Sequence, residues 1–308
     1  MKKNLLIISM ICFFTSLSYG QQNKMLTHFM YDKMSINPGA TGVGMINTIC
    51  GTAIYRNQWD RVNGAPTSAL FNAEAELSRF FPGGVGLSFY HDAIGFARQN
   101  NVVLNYSYHL NVGNGILGIG VGLGLVSYGM NPNWVTPDNN PEDASLPQGV
   151  TEANFDANFG LYYMNHSGWY AGLSTTHIPA SELELLNFTT ARHYYAMGGY
   201  RYKYAFGVKD LDLDFHTMMR TELVKYSADI NARAIWQNLF WGGLTYRLED
   251  GIGIMAGVEF NSFQIGYAYD ISLNALQTVS RGSHEILLKY CHPIPPPPPT
   301  RSRNPRFL

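Results

Sequence analysis

The chain has 308 residues, long enough for one large all-β domain or two ordinary ones. Charged residues make up only 14% of it, against roughly 25% in an ordinary soluble domain, and aromatic residues another 14%, too few charges for a disordered or ordinary cytosolic protein. With 21 basic and 22 acidic residues the net charge is −1, so there is no basic field to hold nucleic acid and no acidic tail to imitate it.

Residues 1–20 read as a secretory signal peptide: Lys2 and Lys3 form a positive end, residues 5–14 are almost unbroken apolar, and Ser18, Tyr19 and Gly20 lead into Gln21. Cys12 lies inside the apolar run and no cysteine follows at the cleavage point, so lipid attachment there is not indicated. Residues 21–48 follow, with turn chemistry at Asn37, Pro38, Gly39 and Gly42, and are assigned to the lumen or the periplasmic mouth of what comes next. No later stretch of about 18 apolar residues exists to form a transmembrane helix. An exported chain of this kind enters a membrane only as a barrel.

From residue 49 to 291 the signal has a period of two. Val85, Leu87 and Phe89 alternate with Gly84, Gly86 and Ser88. Ile119, Val121, Leu123 and Leu125 alternate with Gly118, Gly120, Gly122 and Gly124, a pattern no helix can use. Tyr226, Ala228, Ile230 and Ala232 alternate with Ser227, Asp229, Asn231 and Arg233, and Phe263, Ile265, Tyr267 and Tyr269 with Gln264, Gly266, Ala268 and Asp270. The pattern divides into fourteen strands at 49–57, 67–77, 84–91, 98–110, 115–128, 154–164, 168–176, 193–203, 211–220, 226–236, 240–248, 252–260, 263–271 and 283–291. Alternation alone does not separate a sandwich from a membrane barrel; loop lengths do. The odd-numbered connections hold 9, 6, 25, 16, 5, 3 and 11 residues and the even-numbered ones 6, 4, 3, 7, 3 and 2, the sorting expected of long outer loops and short periplasmic turns. The expected fold is therefore an all-β, closed, antiparallel outer-membrane β-barrel of about 14 strands.

Residues 292–308 form a proline-rich basic end assigned to the periplasm. Residues 295–299 are five prolines, a stiff extended rod that cannot join a sheet, and Arg301, Arg303 and Arg306 follow. A plain solvated end and a periplasmic docking segment are both open readings.

Several segments together resemble a known family. Asn37-Pro38, Tyr55-Arg56-Asn57-Gln58-Trp59, Gly64-Ala65-Pro66-Thr67 and Gly83-Gly84-Val85-Gly86-Leu87-Ser88-Phe89-Tyr90 are similar to the PorP/SprF membrane proteins of the type IX secretion system. Leu104-Asn105-Tyr106-Ser107-Tyr108-His109-Leu110, Tyr170-Ala171-Gly172-Leu173-Ser174, Gly198-Gly199-Tyr200-Arg201-Tyr202, Gly266-Tyr267-Ala268-Tyr269-Asp270 and Gly282-Ser283-His284-Glu285-Ile286 continue the resemblance in order along nearly the whole mature chain. It implies an outer-membrane barrel that supports secretion, surface anchoring or gliding motility of a partner surface protein, often an adhesin. It also implies contact with a periplasmic or peptidoglycan-associated component, and no enzyme activity.

The residues themselves offer little chemistry. Ser174 and His177 have no nucleophile motif around them, His109 has the parity of a lumen-lining residue, and no histidine or cysteine spacing fits a metal or a cofactor. Gly-Ile-Gly-Val-Gly at 118–122 lies within a strand pattern with no helix to complete a phosphate cradle. Inward parity collects Arg201, Asp229, Arg233, Glu259, Asp270, Glu285 and Lys289, read as a salt-linked lumen network or, alternatively, a selectivity ring of a porin or solute channel. Cys50 opens the first strand and Cys291 closes the last, which makes them a candidate disulfide across the barrel seam. The connections 129–153 and 177–192 are the expected client face, with Trp134 as a candidate contact anchor, and outer-membrane lipid is expected around the wall.

Overall fold

The computed structural model describes residues 24–77, 82–132, 149–183 and 188–295. Residues 1–20, expected from the sequence to be a signal peptide, Trp134 and the segment bearing Arg301, Arg303 and Arg306 lie outside the described residues. Fourteen antiparallel strands close into a barrel: β1 (Thr48–Asn57), β2 (Thr67–Glu76), β3 (Gly84–Ile94), β4 (Ala97–Asn111), β5 (Gly115–Met130), β6 (Val150–Asn165) and β7 (Trp169–Thr176), then β10 (His193–Tyr202), β11 (Leu211–Thr221), β12 (Tyr226–Trp236), β13 (Phe240–Arg247), β14 (Gly251–Phe260), β15 (Phe263–Ser272) and β16 (Ser283–Pro293). Every strand pairs with its neighbours in sequence, and β1 pairs with β16 to complete the ring. Between β7 and β10, β8 (Glu182–Leu183) pairs with β9 (Phe188–Thr189) in a two-stranded sheet that is not part of the barrel ring.

Alternation sets the two faces. Leu87, Phe89, Leu104, Leu123, Leu125, Ile230, Ile265 and Tyr267 are exposed on the outside, a lipid-facing belt, while their chain neighbours point into the lumen. Both ends of the barrel domain leave on one side, here the inner mouth. Connections on the opposite, outer rim run to 9, 2, 19, 16, 4, 3 and 10 residues, and those at the inner mouth to 7, 3, 3, 8, 3 and 2. The sorting expected from the sequence holds, with three differences. Gly95, at φ +55, turns β3 into β4 over two residues instead of six, because a left-handed glycine permits the tight hairpin. Pairing continues through Met130 and from Val150, so part of the expected 129–153 loop is strand. The hairpin β8–β9 has no counterpart in the sequence reading, since two-residue strands carry no periodicity.

The wall is uneven. β4, β5 and β6 have 15, 16 and 16 residues, beyond the roughly 9–11 a tilted strand needs to cross a bilayer, whereas β13 has 8. One side of the outer rim therefore stands above the membrane. The hairpin β8–β9 leans on it: Asn154 Nδ2 donates to the Glu182 carbonyl at 2.8 Å and Ile178 N to the Ala157 carbonyl at 2.9 Å.

Residues 24–47 run through the lumen from the outer half to the inner mouth. A 3₁₀ turn (Phe29–Tyr31), the short helix α1 (Lys33–Ile36) and a second 3₁₀ turn (Pro38–Ala40) fill it, with Leu26, Phe29, Met30, Met34 and Ile36 buried against the wall. At the seam Cys50 stands opposite Cys291 in register, with Cα atoms 4.1 Å apart, and the two form a disulfide. Alkylation of the denatured, unreduced protein is expected to leave both cysteines unlabelled and to label both after reduction, as read by peptide mass spectrometry; label at either without reductant contradicts the bond.

Candidate functional site

The lumen is the candidate site, and its charges come from strand register. Arg56 is directly opposite Glu285 across the seam, Arg201 and Arg233 both oppose Asp214, and Asp229 opposes Arg247. Inward-facing cross-strand neighbours are close enough to pair without chain movement. In the low dielectric of the lumen an unpaired charge is costly, so acid and base meet in these positions.

The outer half of this network grips the main chain of residues 24–28. Glu285 accepts from the backbone N–H of Thr27 at 2.8 Å and of His28 at 2.7 Å, and from His28 Nδ1 at 2.7 Å. Thr27 Oγ1 donates to Asp270 at 2.6 Å and accepts from Arg56 Nη1 at 2.9 Å; Arg56 Nη1 also lies 2.6 Å from Asp270 and 3.1 Å from Glu285. Arg220 Nη1 donates to the Lys24 carbonyl at 2.9 Å and Nη2 to Asp229 at 2.5 Å, while Arg247 Nε donates to the other Asp229 oxygen at 2.8 Å. Lys24 Nζ in turn pairs with Asp32 Oδ2 at 2.8 Å, whose other oxygen accepts from Asn72. Arg233 donates to the Tyr31 hydroxyl at 2.7 Å and to Asp214 at 2.9 Å.

The inner half works by close approach. Gly118, Gly120 and Gly160 form a trough on β5 and β6 into which Asn37-Pro38-Gly39 fits. A Cβ on Gly118 would lie 2.0 Å from the Gly39 carbonyl oxygen, and one on Gly120 2.2 Å from Gly39 N. Asn37 Oδ1 accepts from Gly39 N at 2.9 Å and its Nδ2 donates to the Leu161 carbonyl at 2.9 Å. Ser107 Oγ donates to the Gly39 carbonyl at 2.9 Å, Ser174 Oγ to the Ile36 carbonyl at 2.8 Å, and His109 Nε2 to the Thr41 carbonyl at 2.9 Å. Gly118 and Gly120 of the run at 118–122 are thus a bed for the luminal segment.

Of the inward charges read from the sequence, Arg201, Asp229, Arg233, Asp270 and Glu285 belong to ion pairs. Glu259 and Lys289 form none among the described residues; Lys289 Nζ lies 5.8 Å from the centre of the Tyr31 ring. Sequence reading missed Arg56, Asp214, Arg220 and Arg247, which the same parity along their strands identifies. It also missed Lys24, His28 and Asp32, for which an irregular segment supplies no period. Ser174 and His177 are not joined: His177 Nδ1 faces Asp156 at 3.0 Å, and its ring meets that of His193 edge-on at 5.8 Å. His193 Nε2 pairs at 2.9 Å with Glu222 on the outer turn, where burial raises the Glu222 carboxyl. Among the described residues no cluster of three His, Cys, Asp or Glu is arranged for a metal ion.

Comparison with known proteins agrees with this architecture. The profile of the type IX secretion system membrane protein PorP/SprF matches residues 18–290, and the chain belongs to that family. No curated protein sequence matches it. The crystal structure of the Ralstonia pickettii toluene transporter TbuX is similar at 11% identity and TM-score 0.52, over 85% of this chain and 93% of that one, which shows a shared outer-membrane barrel fold. The Acinetobacter baumannii outer membrane protein Omp33 superposes at 7% identity and TM-score 0.46, covering 80% of this chain and 96% of that one.

Removing Glu285 strands His28 and two backbone N–H groups and leaves Arg56 with Asp270 alone for a carboxylate, so Glu285→Ala is expected to cost about 3–5 kcal/mol, against under about 1 kcal/mol for Glu259→Ala. Denaturant titration of the detergent-folded barrel, read by its heat-modifiable gel shift, checks the contrast; equal losses would deny the network its role. Gly120→Val is expected to expel the luminal segment, exposing Lys33 to trypsin in a barrel that still migrates as folded.

Proposed function

We propose that this PorP/SprF barrel is a closed docking platform of the type IX secretion system rather than a conduit. Its outer rim binds a secreted surface protein, of the adhesin kind, and its inner mouth engages a periplasmic or peptidoglycan-associated component of the apparatus. The observation that carries this reading is the filled lumen: residues 24–47 are held along their length by hydrogen bonds and ion pairs from ten of the fourteen strands' worth of wall, a cost with no use in a solute pore.

The outer rim supports the same reading. The two longest outer connections, of 19 and 16 residues, flank β6 and β7, beside the part of the wall that stands above the membrane. A tall, stiff wall carrying adjacent long loops offers a large protein a defined surface. Among the described residues, two cavities in the outer half of the lumen hold about 10 and 30 Å³.

Two measurements test this. Pull-down of the tagged protein from its native envelope in mild detergent is expected to recover one large secreted protein and one periplasmic or peptidoglycan-associated component. In planar bilayers the intact barrel is expected to be silent and a variant lacking residues 24–42 to conduct. A barrel that comes down alone and conducts ions when intact would make it a porin.

A further inference from the structure

On the tall side of the barrel the outward positions stop being apolar before the strands end. Phe89, Val102, Leu125 and Phe155 are the last large apolar side chains of the lipid-facing belt there. Beyond them, toward the outer tips, come His91 and Ala93 on β3, Asn100 and Arg98 on β4, Ser127 and Gly129 on β5, and Ala153 and Thr151 on β6. His91 Nδ1 lies 2.7 Å from Asn100 Oδ1 on this polar band. Two outward positions per strand therefore separate the lipid belt from the tips.

The opposite side has no such band. Strands β11 to β15 have 11, 11, 8, 10 and 10 residues, close to or below the roughly 9–11 that a tilted crossing takes. Here the apolar columns run on into the outer connections. Leu223 has the parity of Met219, Leu248 that of Tyr246, and Leu273 that of Ile271. These three leucines, with Val224 and Tyr226, are between 50% and 73% exposed, a cluster of large apolar side chains that water does not favour.

The connections hold the leucines outward. Leu248 N donates to the Ala228 carbonyl at 2.9 Å, Leu273 N to the Asp250 carbonyl at 2.8 Å, and Asn274 Nδ2 to Asp250 Oδ1 at 3.1 Å. Leu223 N donates to Thr221 Oγ1 at 2.9 Å, and Leu223 has φ +71, a conformation that favours glycine or asparagine over leucine. The carboxylates of the same turns face the other way: Glu222 pairs with His193 at 2.9 Å and Asp250 with Arg247 at 3.1 Å, both partners at inward positions. Lys225 and Glu249 are exposed at the tips, where a long side chain reaches a headgroup layer.

We propose that the outer connections 222–225, 248–250 and the start of 273–282 form a low apolar shoulder seated in the outer leaflet, with Leu223, Val224, Leu248 and Leu273 against lipid acyl chains. The membrane surface then meets the barrel aslant, at the turns on this side and below the tips of β4–β6 on the other. Continuity selects lipid as the occupant, since Leu223, Leu248 and Leu273 each prolong a column of the wall that already faces it. The inference rests on the barrel and its belt alone and stands apart from the platform reading.

The test places the fluorophore NBD on a cysteine introduced by Leu223→Cys, Leu248→Cys or Leu273→Cys, with Thr151→Cys as control. Cys50 and Cys291 are bonded to each other, so the unreduced protein is used, and the parent protein labelled in parallel supplies the background. Heat modifiability verifies that each variant is folded. In phosphatidylcholine liposomes, NBD at 223, 248 and 273 is expected to lose at least about half its emission to lipids bearing a nitroxide high on the acyl chain, and to be quenched by aqueous iodide at least about threefold less steeply than at 151. The nitroxide is expected to leave the label at 151 bright. Iodide quenching as steep at 223, 248 and 273 as at 151, with no nitroxide effect, overturns the proposal. If those iodide-open positions are nevertheless closed to a membrane-impermeant maleimide in the native envelope, the shoulder belongs to a protein partner instead of lipid.

Discussion

Closing fourteen strands into a ring creates an interior wider than the wall's own side chains can fill, and the rest of the structure depends on how that space is occupied. Water would leave an open channel. Here the chain supplies residues 24–47 instead, and the segment brings unpaired backbone groups as well as apolar bulk into the barrel. The wall must then satisfy those groups, because a buried N–H or carbonyl without a partner costs more than a hydrogen bond returns. The inward charges are the answer to that requirement. Carboxylates on β15 and β16 take the N–H groups and hydroxyl of Thr27 and His28, and guanidinium groups on β11 and β13 take the carbonyls of Lys24 and Leu26.

The two halves of the lumen solve the same problem by different means. In the outer half long charged side chains reach inward from the wall, so the segment sits away from the strands and is held at arm's length. In the inner half glycine removes the side chain altogether, and Asn37-Pro38-Gly39 lies against the backbone of β5 and β6. Glycine in a strand weakens the strand itself. Its use at Gly118, Gly120 and Gly160 is intelligible only with the luminal segment in place, since the contact it permits is with that segment's main chain.

Period-two alternation made the wall legible in the sequence, because lipid on one side and a polar lumen on the other impose opposite chemistry on successive residues. Fourteen strands, their order and the sorting of long connections to one rim follow from it. The inward parity of Arg201, Asp229, Arg233, Asp270 and Glu285 follows as well, but their partners do not: a salt bridge needs register, and register between strands as distant in sequence as β1 and β16 comes from closure, not from either strand. Residues 24–47 were harder still. Their turns at Phe29–Tyr31 and Pro38–Ala40 and the single turn of α1 are too short for a helical period, and what fixes them is the wall. The composition of β5, with a glycine at every inward position from 118 to 124, was the one local sign that something lies against it.

Seam and luminal segment are coupled through the same residues. Arg56 on β1 and Glu285 on β16 are register partners across the closure, and Thr27 and His28 bind to both strands' side chains at that point. Toward the inner mouth the Cys50–Cys291 bond ties the strands, and at the outer rim Trp59 N donates to Ser283 Oγ and Asp60 N to the Gly282 carbonyl. Opening the seam at Arg56 would strand a buried guanidinium, a buried carboxylate and the N–H groups of the segment together, while withdrawing the segment would leave Glu285 with only Arg56 to balance it. Each closure therefore raises the cost of undoing the other, which is what the closed-platform reading proposed above requires of the seam and the lumen alike.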